Sequence, residues 1–430
     1  MLEKEKISIG DIIEIKTINE SLEGSLMPRY EYSDDKHIVI KLKNGYNIGV
    51  NLSEISSIKL IKKSILQSNK ILQSPKLDSS LPKIVVIGTG GTIASKIDYR
   101  TGGVHPRFSA EELCLVVPEI TKYAEIHTSP LFNVYSEHIN SNHWSKIAEK
   151  IGEEIAAGFD GVIIAHGTDT MGYTSAALSF ALAGAPVPVI LVGSQRSTDR
   201  PSSDAALNLI GAVATASSVS FSGIYVAMHG SISDIDIAIH RGTRVRKNHS
   251  SRRDAFESID TVPVALFKDG KVKVLDNDLP KKDKTRSFKV KSTFEKKVAL
   301  IKFHPSFNHE IINYLTKSGY RGIVFEGTGL GHVSEDCYDS IASAVNEGVL
   351  VGMTSQTIWG RVNLSVYDSG RDLLKRGVLP LGDMISETAL AKMMWVLGNT
   401  SSVIEAKRLM LENIAGEYQE RSPFEGGSKF

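Results

Sequence analysis

The sequence contains very little cysteine, since Cys114 and Cys337 are the two present in 430 residues. Two cysteines so far apart cannot build the disulfide framework of a small secreted domain, so we expect a reducing, intracellular location. Cysteine and histidine also do not cluster at the spacing that zinc ligands use. We therefore expect no metal site in this chain.

A strong net charge and long hydrophobic runs are also missing. Lysine and arginine together number 50 and aspartate and glutamate 49, so the formal net charge is +1. This balance provides no general attraction to nucleic acid or to an anionic membrane. The segment 1–6 is charged where a signal peptide would be apolar, and no apolar run is long enough to cross a bilayer. These absences predict a cytoplasmic protein without a membrane partner.

The first part of the chain, residues 1–61, has the pattern of a small β-barrel of SH3-like kind. Asp11–Lys16 and His37–Leu42 are rich in the β-branched residues that strands favour. Asn44-Gly45 before the next short strand predicts a tight hairpin turn. Barrels of this kind bind RNA or protein, or serve as structural appendages, and the sequence leaves both roles open. Residues 62–82, rich in Ser, Gln, Lys and Asn, are predicted to form a linker.

From residue 83 onward, buried strands alternate with helices, which predicts an α/β protein with parallel sheets covered on both faces. The first domain is predicted over residues 83–280, a polar and basic linker over 281–296, and a second α/β domain over 297–430. The last helix is expected from about Ser386 to near Gly398. The predicted strands are Ile84–Ile87, Gly161–Ala165, Pro188–Val192, Val298–Ile301 and Gly322–Phe325, and the predicted earlier helices are Asn142–Ala157 and Ser202–Ala216.

Three polar clusters directly follow predicted strands, and loops after neighbouring parallel strands lie close together. They are Thr89–Ser95, His166–Thr170 and Gly193–Arg196. The first is also compatible with a phosphate-binding loop, but it has neither the Gly-x-Gly-x-x-Gly pattern nor a Walker lysine. The second is also compatible with capping of the next helix. Taken singly, neither cluster specifies a function.

Taken together, the first two clusters resemble the two signatures of the bacterial-type L-asparaginase family. These are Thr-Gly-Gly-Thr-Ile-Ala at 89–94 and His-Gly-Thr-Asp-Thr-Met at 166–171, and the resemblance extends over about residues 83–410. It implies the asparaginase-like two-domain, three-layer parallel-sheet fold, here preceded by the barrel. The leading domain and linker, together with Asp98–Gly102 and Arg241–Lys247, resemble the D subunits of archaeal glutamyl-tRNA(Gln) amidotransferases within that family.

The resemblance implies the site residues. Thr92 matches the nucleophile that attacks the side-chain amide carbonyl and forms an acyl-enzyme. Thr168, Asp169 and Lys247 match a proton-handling cluster, whose aspartate also binds the substrate's α-amino group. The residues that match substrate-binding positions are Gly91, in the turn whose N–H groups face the oxyanion, Tyr99 of the mobile lid, Ser136, which holds the α-carboxylate, and Glu137, where many asparaginases have glutamine.

Elementary chemistry agrees with these roles. A threonine hydroxyl is a weak nucleophile until a neighbouring group takes its proton. Backbone N–H groups of the turn at 90–92 would stabilise the oxyanion, an effect worth roughly 3–4 kcal/mol per donor. We predict Thr92 as the attacking residue and Thr89 as a residue that shapes the turn. The sequence leaves open whether Thr92 or Thr168 begins the reaction.

The resemblance also implies a function and partners. The chain would hydrolyse glutamine, or asparagine, and supply ammonia for the conversion of Glu-tRNA(Gln) to Gln-tRNA(Gln). A partner, the E subunit of the glutamyl-tRNA amidotransferase, would use ATP and Mg²⁺ and would make most of the contacts with the mischarged tRNA, while this chain would need no cofactor. A homodimer within a heterotetramer is implied. The alternatives are a free-standing cytoplasmic L-asparaginase and a non-catalytic tRNA- or protein-binding scaffold, and the intact Thr, Asp and Lys set argues against the scaffold.

Overall fold

The computed structural model describes residues 7–8, 11–17, 20–27, 36–42, 47–62, 81–90, 95–97, 104–106, 117–196 and 203–421. Its strands form a five-stranded N-terminal sheet, an eight-stranded sheet, a four-stranded sheet and two short hairpin-like pairs. None of the described helices combines the length and apolar character that a membrane crossing requires.

The N-terminal region is a five-stranded antiparallel sheet in the order β4-β3-β2-β1-β5. Alternate residues face its own core, which includes Ile13, Ile15, Ile38 and Ile40. The predicted small β-rich region is therefore confirmed, whereas the predicted Asn44-Gly45 turn lies outside the described residues. The strands are β1 (Ile12–Thr17), β2 (Ser21–Leu26), β3 (His37–Leu42), β4 (Asn47–Asn51) and β5 (Ile55–Lys62).

The next part of the chain forms an eight-stranded sheet and the helices that cover it. Its strands are β6 (Lys83–Gly90), β9 (Glu125–Val134), β10 (Gly161–Ala165), β11 (Pro188–Val192), β12 (Gly223–His229), β13 (Asp236–Arg241), β16 (Ala265–Lys268) and β17 (Lys271–Val274). The short pairs are β7 (Ser95–Ile97) with β8 (Val104–Pro106) and β14 (Val245–Lys247) with β15 (Phe256–Ser258). The helices are α1 (Ser141–Ala156), α2 (Met171–Ala181) and α3 (Ala205–Ser218).

The large sheet has the strand order β17-β16-β13-β12-β11-β10-β6-β9. Strands β9, β6, β10, β11 and β12 run parallel to one another, as predicted for this sheet, and β12 pairs antiparallel with β13. Both faces of this part are buried, which is why β10 and β11 are continuous apolar runs with no alternation. The antiparallel edge made by β13, β16 and β17 was not predicted from the sequence.

A four-stranded parallel sheet, ordered β18-β19-β20-β21, organises the C-terminal part of the chain. The helix predicted to be the last, α7, ends at Asn399 as expected, but α8 follows it. Helix α8 was not predicted because its apolar residues form no clear stripe along one side. In the structure, Val403, Ile404 and Leu411 are exposed. The elements are β18 (Val298–Lys302), α4 (Glu310–Lys317), β19 (Gly322–Gly327), α5 (Tyr338–Asn346), β20 (Leu350–Ser355), α6 (Asp368–Lys375), β21 (Leu379–Pro380), α7 (Ser386–Asn399) and α8 (Val403–Leu411).

One hydrophobic core joins the eight-stranded and the four-stranded sheets. Phe180 of α2 stacks on Trp395 of α7, with ring centroids 5.9 Å apart, and Trp144 of α1 meets Phe294 edge-on at 5.5 Å. Rings at such distances gain more than their buried area alone would give. The segment 281–296, predicted to be a linker, thus contributes side chains to this core.

Candidate active site

The candidate site lies where the strand order of the large sheet reverses. After β6 the chain first adds β9 on one side and then crosses to add β10 on the other. The carboxyl ends of strands at such a reversal border a crevice, which is the usual ligand site of an open α/β sheet. The Thr89 hydroxyl donates to the Ala165 carbonyl over 2.8 Å and so ties the ends of β6 and β10 together.

Glycine is required at the end of β6. Gly90 has φ of +104°, a conformation that side chains disfavour. A Cβ atom there would also lie 2.5 Å from the Val134 carbonyl oxygen, because β9 passes directly beside it. The chain can therefore turn out of β6 at this point only with a bare backbone.

Thr168 and Asp169 follow β10 and meet a lysine from a different element. The Lys247 ammonium donates to the Thr168 hydroxyl over 2.9 Å and to a carboxylate oxygen of Asp169 over 2.7 Å. Thr168 is buried, whereas the Asp169 side chain is 66% exposed and the Lys247 side chain 14% exposed. The cluster thus has a protected hydroxyl at its base and a carboxylate facing solvent.

The hairpin of β14 and β15 carries Lys247 to this position. Lys247 pairs with Phe256, and the Asn248 N–H donates to the Ala255 carbonyl over 2.7 Å. Phe256 and Val245 are both buried in the core between the sheets. Packing of these apolar neighbours holds the lysine at the end of the hairpin, next to β10.

Ser136 and Glu137 come from the loop after β9, on the other side of β6. Ser136 is buried, and its carbonyl accepts a 2.8 Å hydrogen bond from the Thr170 hydroxyl. Glu137 is exposed at the same loop. The structure therefore brings Ser136, Glu137, Thr168, Asp169 and Lys247 to one edge of the sheet.

Three predicted site residues, Gly91, Thr92 and Tyr99, lie outside the described residues. In the sequence, Gly91 and Thr92 directly follow the end of β6 at Gly90. Their catalytic and binding roles stay predictions, as do those of the five residues that the structure brings together.

Comparison with known proteins matches the chain in three consecutive parts. Residues 7–61 match the GatD N-terminal domain, residues 83–280 the family described as Asparaginase, N-terminal, and residues 297–410 the Glutaminase/Asparaginase C-terminal domain. The glutamyl-tRNA(Gln) amidotransferase D subunits from Pyrococcus furiosus and Pyrococcus abyssi are 50% and 48% identical to it. Each alignment covers 97% of this chain and 96% of the relative. The chain belongs to the family of glutamyl-tRNA(Gln) amidotransferase D subunits.

Membership of the D-subunit family confirms the resemblance drawn from the motifs. Among solved structures, the thermostable L-asparaginase from Thermococcus kodakarensis superposes with a TM-score of 0.71 at 34% identity. That match covers 79% of this chain and 100% of the asparaginase. The predicted asparaginase-like α/β fold, with its N- and C-terminal domains, is thereby confirmed as well.

His166, which opens the second motif of this D-subunit family member, is fully buried beneath the cluster. Its ring Nδ1 donates to the Gly167 carbonyl over 2.6 Å, so it shapes the loop. Burial away from water lowers the pKa of His166 to about 4. The ring is therefore neutral at physiological pH and adds no positive charge beside Lys247.

A buried polar network behind the loop after β11 was not predicted from the sequence. The Asp204 carboxylate accepts the N–H groups of Gln195 and Arg196, and the Asn208 amide donates to the Gly193 carbonyl over 2.9 Å. A Cβ on Gly193 would lie 2.9 Å from the Thr168 methyl group. The network thus holds a bare backbone against Thr168, and the Asp-x-x-x-Asn spacing on α3 was the available signal.

Within the described residues, no three His, Cys, Asp or Glu side chains lie close enough together to bind a metal ion. The groups that the site does present are hydroxyls, carboxylates and one ammonium. This combination can bind the zwitterionic end of an amino acid and move protons, which are the two tasks that hydrolysis of a side-chain amide requires.

Proposed function

We propose that this chain is the amidohydrolase subunit of a tRNA-dependent amidotransferase that converts Glu-tRNA(Gln) to Gln-tRNA(Gln). The observation that carries the proposal is the position of Lys247, within hydrogen-bond distance of both Thr168 and Asp169 at the end of β10. Relatives about half identical over nearly the whole chain are named as the D subunit of that enzyme, which supports the same assignment.

In the proposed reaction, the Thr92 hydroxyl attacks the side-chain amide carbonyl of glutamine. The new C–O bond forms as the carbonyl becomes an oxyanion, which the N–H groups of the turn at 90–92 stabilise. The C–N bond then breaks, and the amide nitrogen leaves as ammonia with the proton that the hydroxyl gave up. Water hydrolyses the resulting ester to release glutamate and restore Thr92.

Thr168 and Lys247 handle protons in this scheme. The structure shows Lys247 paired with Asp169, the arrangement expected of an ammonium beside a carboxylate. When a substrate's α-ammonium binds the exposed Asp169 carboxylate, it brings a second positive charge beside the lysine. Two neighbouring positive charges repel each other, which favours loss of a proton from the Lys247 ammonium. Substrate binding would thereby prepare Lys247 to accept a proton that reaches it through Thr168.

The remaining predicted residues would hold the substrate. We propose that Ser136 binds the α-carboxylate, that Glu137 contacts the α-ammonium, and that Tyr99 closes over the bound amino acid, while Gly91 forms part of the oxyanion turn. The exposed position of Glu137 beside the crevice supports its part in this scheme. An acidic side chain at 137 would also influence the choice between glutamine and asparagine.

The released ammonia would pass to the partner E subunit, which would use ATP and Mg²⁺ to activate the glutamyl group and make most of the tRNA contacts. We propose a homodimer of this chain within a heterotetramer, working in the cytoplasm where charged tRNA is used. The proposed domains are 1–61, 83–280 and 297–430, with 62–82 and 281–296 as connections. Residues 1–61 would serve the complex rather than the hydrolytic step.

A second candidate, a free-standing L-asparaginase, is favoured by one observation. The match covers 100% of the Thermococcus kodakarensis L-asparaginase and 79% of this chain. Such an enzyme would need neither a second protein nor tRNA for full activity.

The test measures ammonia release from glutamine and from asparagine, with the chain alone and then with the E subunit, ATP and Glu-tRNA(Gln). We expect release that increases in the full mixture and that is lost on Lys247→Met. Full release from asparagine by the chain alone, unchanged by the other components, would favour the second candidate. No release under any condition would contradict both.

A further inference from the structure

We infer that the C-terminal part of the chain positions the catalytic lysine, and that Asp383, Glu387 and Thr388 are positioning residues for the hydrolytic step. This inference rests on the proposed role of Lys247. None of the eight predicted site residues lies beyond residue 247, yet Thr243, Arg244 and Arg246, just before the lysine, bond to groups that do.

The strand that carries Lys247 receives little support from the large sheet. β14 has three residues and pairs with β15 alone among the described strands. The two form a separate hairpin, so the ladder hydrogen bonds that fix β10 do not fix β14. The position of Lys247 relative to Thr168 must therefore depend on other contacts.

The first of these contacts is made by the backbone of Thr243. Its carbonyl accepts a 2.8 Å hydrogen bond from the hydroxyl of Thr388, a fully buried residue in the first turn of α7. The Thr243 hydroxyl in turn donates to the Ala415 carbonyl over 3.1 Å. Both links run from the turn before β14 to the C-terminal part of the chain.

Arg244 makes the second and strongest anchor. Its side chain is 1% exposed, and its guanidinium donates over 2.9 Å to the carboxylate of Asp383, which is fully buried. It also donates to the Asp383 carbonyl and to the Gly416 carbonyl. A buried ion pair is retained only where geometry and further hydrogen bonds are good, and such a pair tolerates little displacement of either partner.

Arg246 makes the third anchor. Its guanidinium lies 2.9 Å and 3.2 Å from the two carboxylate oxygens of Glu387, next to Thr388 on α7. Along the strand, Val245 packs into the core while Arg244 and Arg246 reach the C-terminal part. Lys247 is the next residue and is the first in this stretch to point to the site.

The hydrogen bonds of Lys247 leave little tolerance for movement. At 2.9 Å and 2.7 Å they would be broken by a shift of about 1 Å, and misplacement of that size can lower a rate by about a hundredfold. Weakening the anchors should therefore reduce kcat, while the groups that bind the substrate remain in place.

The experiment uses the full-length chain, in complex with its partner where activity requires it. The variants are Glu387→Gln, Thr388→Val and Asp383→Asn. Each of the first two has a matched control that removes a similar contact made by a residue of the C-terminal part. Glu295→Gln breaks an Arg–Glu pair with Arg321, and Thr354→Val removes a buried 2.8 Å bond to the Phe325 carbonyl.

We expect Glu387→Gln and Thr388→Val to lower kcat by at least about tenfold with little change in KM, while the two controls stay near the parent rate. In a Lys247→Met background, the same substitutions should cause no further loss. Asp383→Asn should show the larger effect, but the inference does not depend on its folding because the other two variants leave the buried ion pair intact.

Two outcomes would overturn this inference. One is equal loss in the variants and their controls, which would indicate general destabilisation. The other is an unchanged kcat in Glu387→Gln and Thr388→Val although Lys247→Met is inactive. If Lys247→Met itself were fully active, the proposed role of the lysine would fail instead, so the two failures are distinguishable.

Discussion

The parallel strands of the eight-stranded sheet and those of the four-stranded sheet are both followed by polar residues at their carboxyl ends, but the two sheets use these residues differently. At the edge of the large sheet, Thr168 and Asp169 point away from their own loop and meet Lys247 from another element. At the edge of the four-stranded sheet, the Thr354 hydroxyl donates to the Phe325 carbonyl and the Ser355 hydroxyl to the Gly329 carbonyl. In the four-stranded sheet, therefore, the polar side chains form hydrogen bonds with nearby backbone carbonyls.

Gln356 continues the same pattern at the second edge. Its amide donates to the carbonyls of Phe303 and Glu326, which come from the ends of two neighbouring strands. Comparable bonds at the large sheet run from the Thr89 hydroxyl to the Ala165 carbonyl and from the Thr170 hydroxyl to the Ser136 carbonyl. The comparison teaches that hydroxyls at strand ends usually bond to nearby backbone and so stabilise the fold. A candidate site arises where a side chain from outside the sheet bonds to such a hydroxyl instead, as Lys247 does with Thr168.

The largest expected effect separates the two threonines of the first motif. Thr92→Ala should lower the rate of glutamine hydrolysis by at least about a thousandfold, because it removes the hydroxyl that we propose forms the acyl-enzyme. Thr89→Val is the matched control, since Thr89 bonds to backbone as Thr354 does. Comparable losses in both variants, at unchanged melting temperature, would argue against Thr92 as the nucleophile.

The next effect concerns the lysine that distinguishes the two edges. Lys247→Met should lower kcat by roughly 10²- to 10⁴-fold, the range typical of a lost proton-transfer group. Lys302→Met, at the exposed end of β18 on the second edge, should leave the rate unchanged. Steady-state kinetics of both purified variants would check this, and equal rates would remove the functional difference between the edges.

A histidine follows a strand at each edge, and the two differ in burial. The Nδ1 atoms of His166 and His304 each donate to the next residue's carbonyl, but His166 is buried and His304 exposed. Unfolded His166 binds a proton near pH 6.5 and folded His166 only near pH 4. Stability should therefore fall as the pH drops below 6.5, by roughly 2 kcal/mol between pH 7 and pH 5.

Urea unfolding at the two pH values would measure this fall in the parent chain. His166→Gln should reduce the pH dependence of the free energy of unfolding. A pH dependence that survives in His166→Gln would show that other groups cause it.

The smallest expected effect is shared by the two edges. Thr89→Val and Thr354→Val each remove one buried hydrogen bond and should each lower the free energy of unfolding by roughly 1 kcal/mol. Because Thr89 joins strand ends at the candidate site, its loss should also reduce the rate, but by less than about tenfold. Denaturant unfolding and steady-state kinetics of the two variants would measure these effects. A lower rate in Thr354→Val, with no change in Thr89→Val, would contradict the expected difference between the edges.

Several elements could be predicted closely from local pattern. The bounds of β10 and β11 were predicted to the residue, because short apolar runs bounded by polar residues define fully buried strands. Helix α1 was predicted within one residue, since its apolar spacing is regular and Gly158 follows with φ of +94°. The two motifs were enough to identify the family, and the first begins in the last residues of β6 while the second directly follows β10.

The placement of Lys247 required the folded chain. The lysine is 79 residues from Thr168 along the sequence, and no local pattern records that its ammonium bridges Thr168 and Asp169. Its strand is too short to show the alternation of apolar and polar residues typical of strands. Arg244 and Arg246 fix its position by bonding to carboxylates more than 130 residues away. Local hydrogen bonding and burial determine strands and turns, whereas such long-range polar contacts depend on how two sheets pack, which no short stretch of sequence encodes.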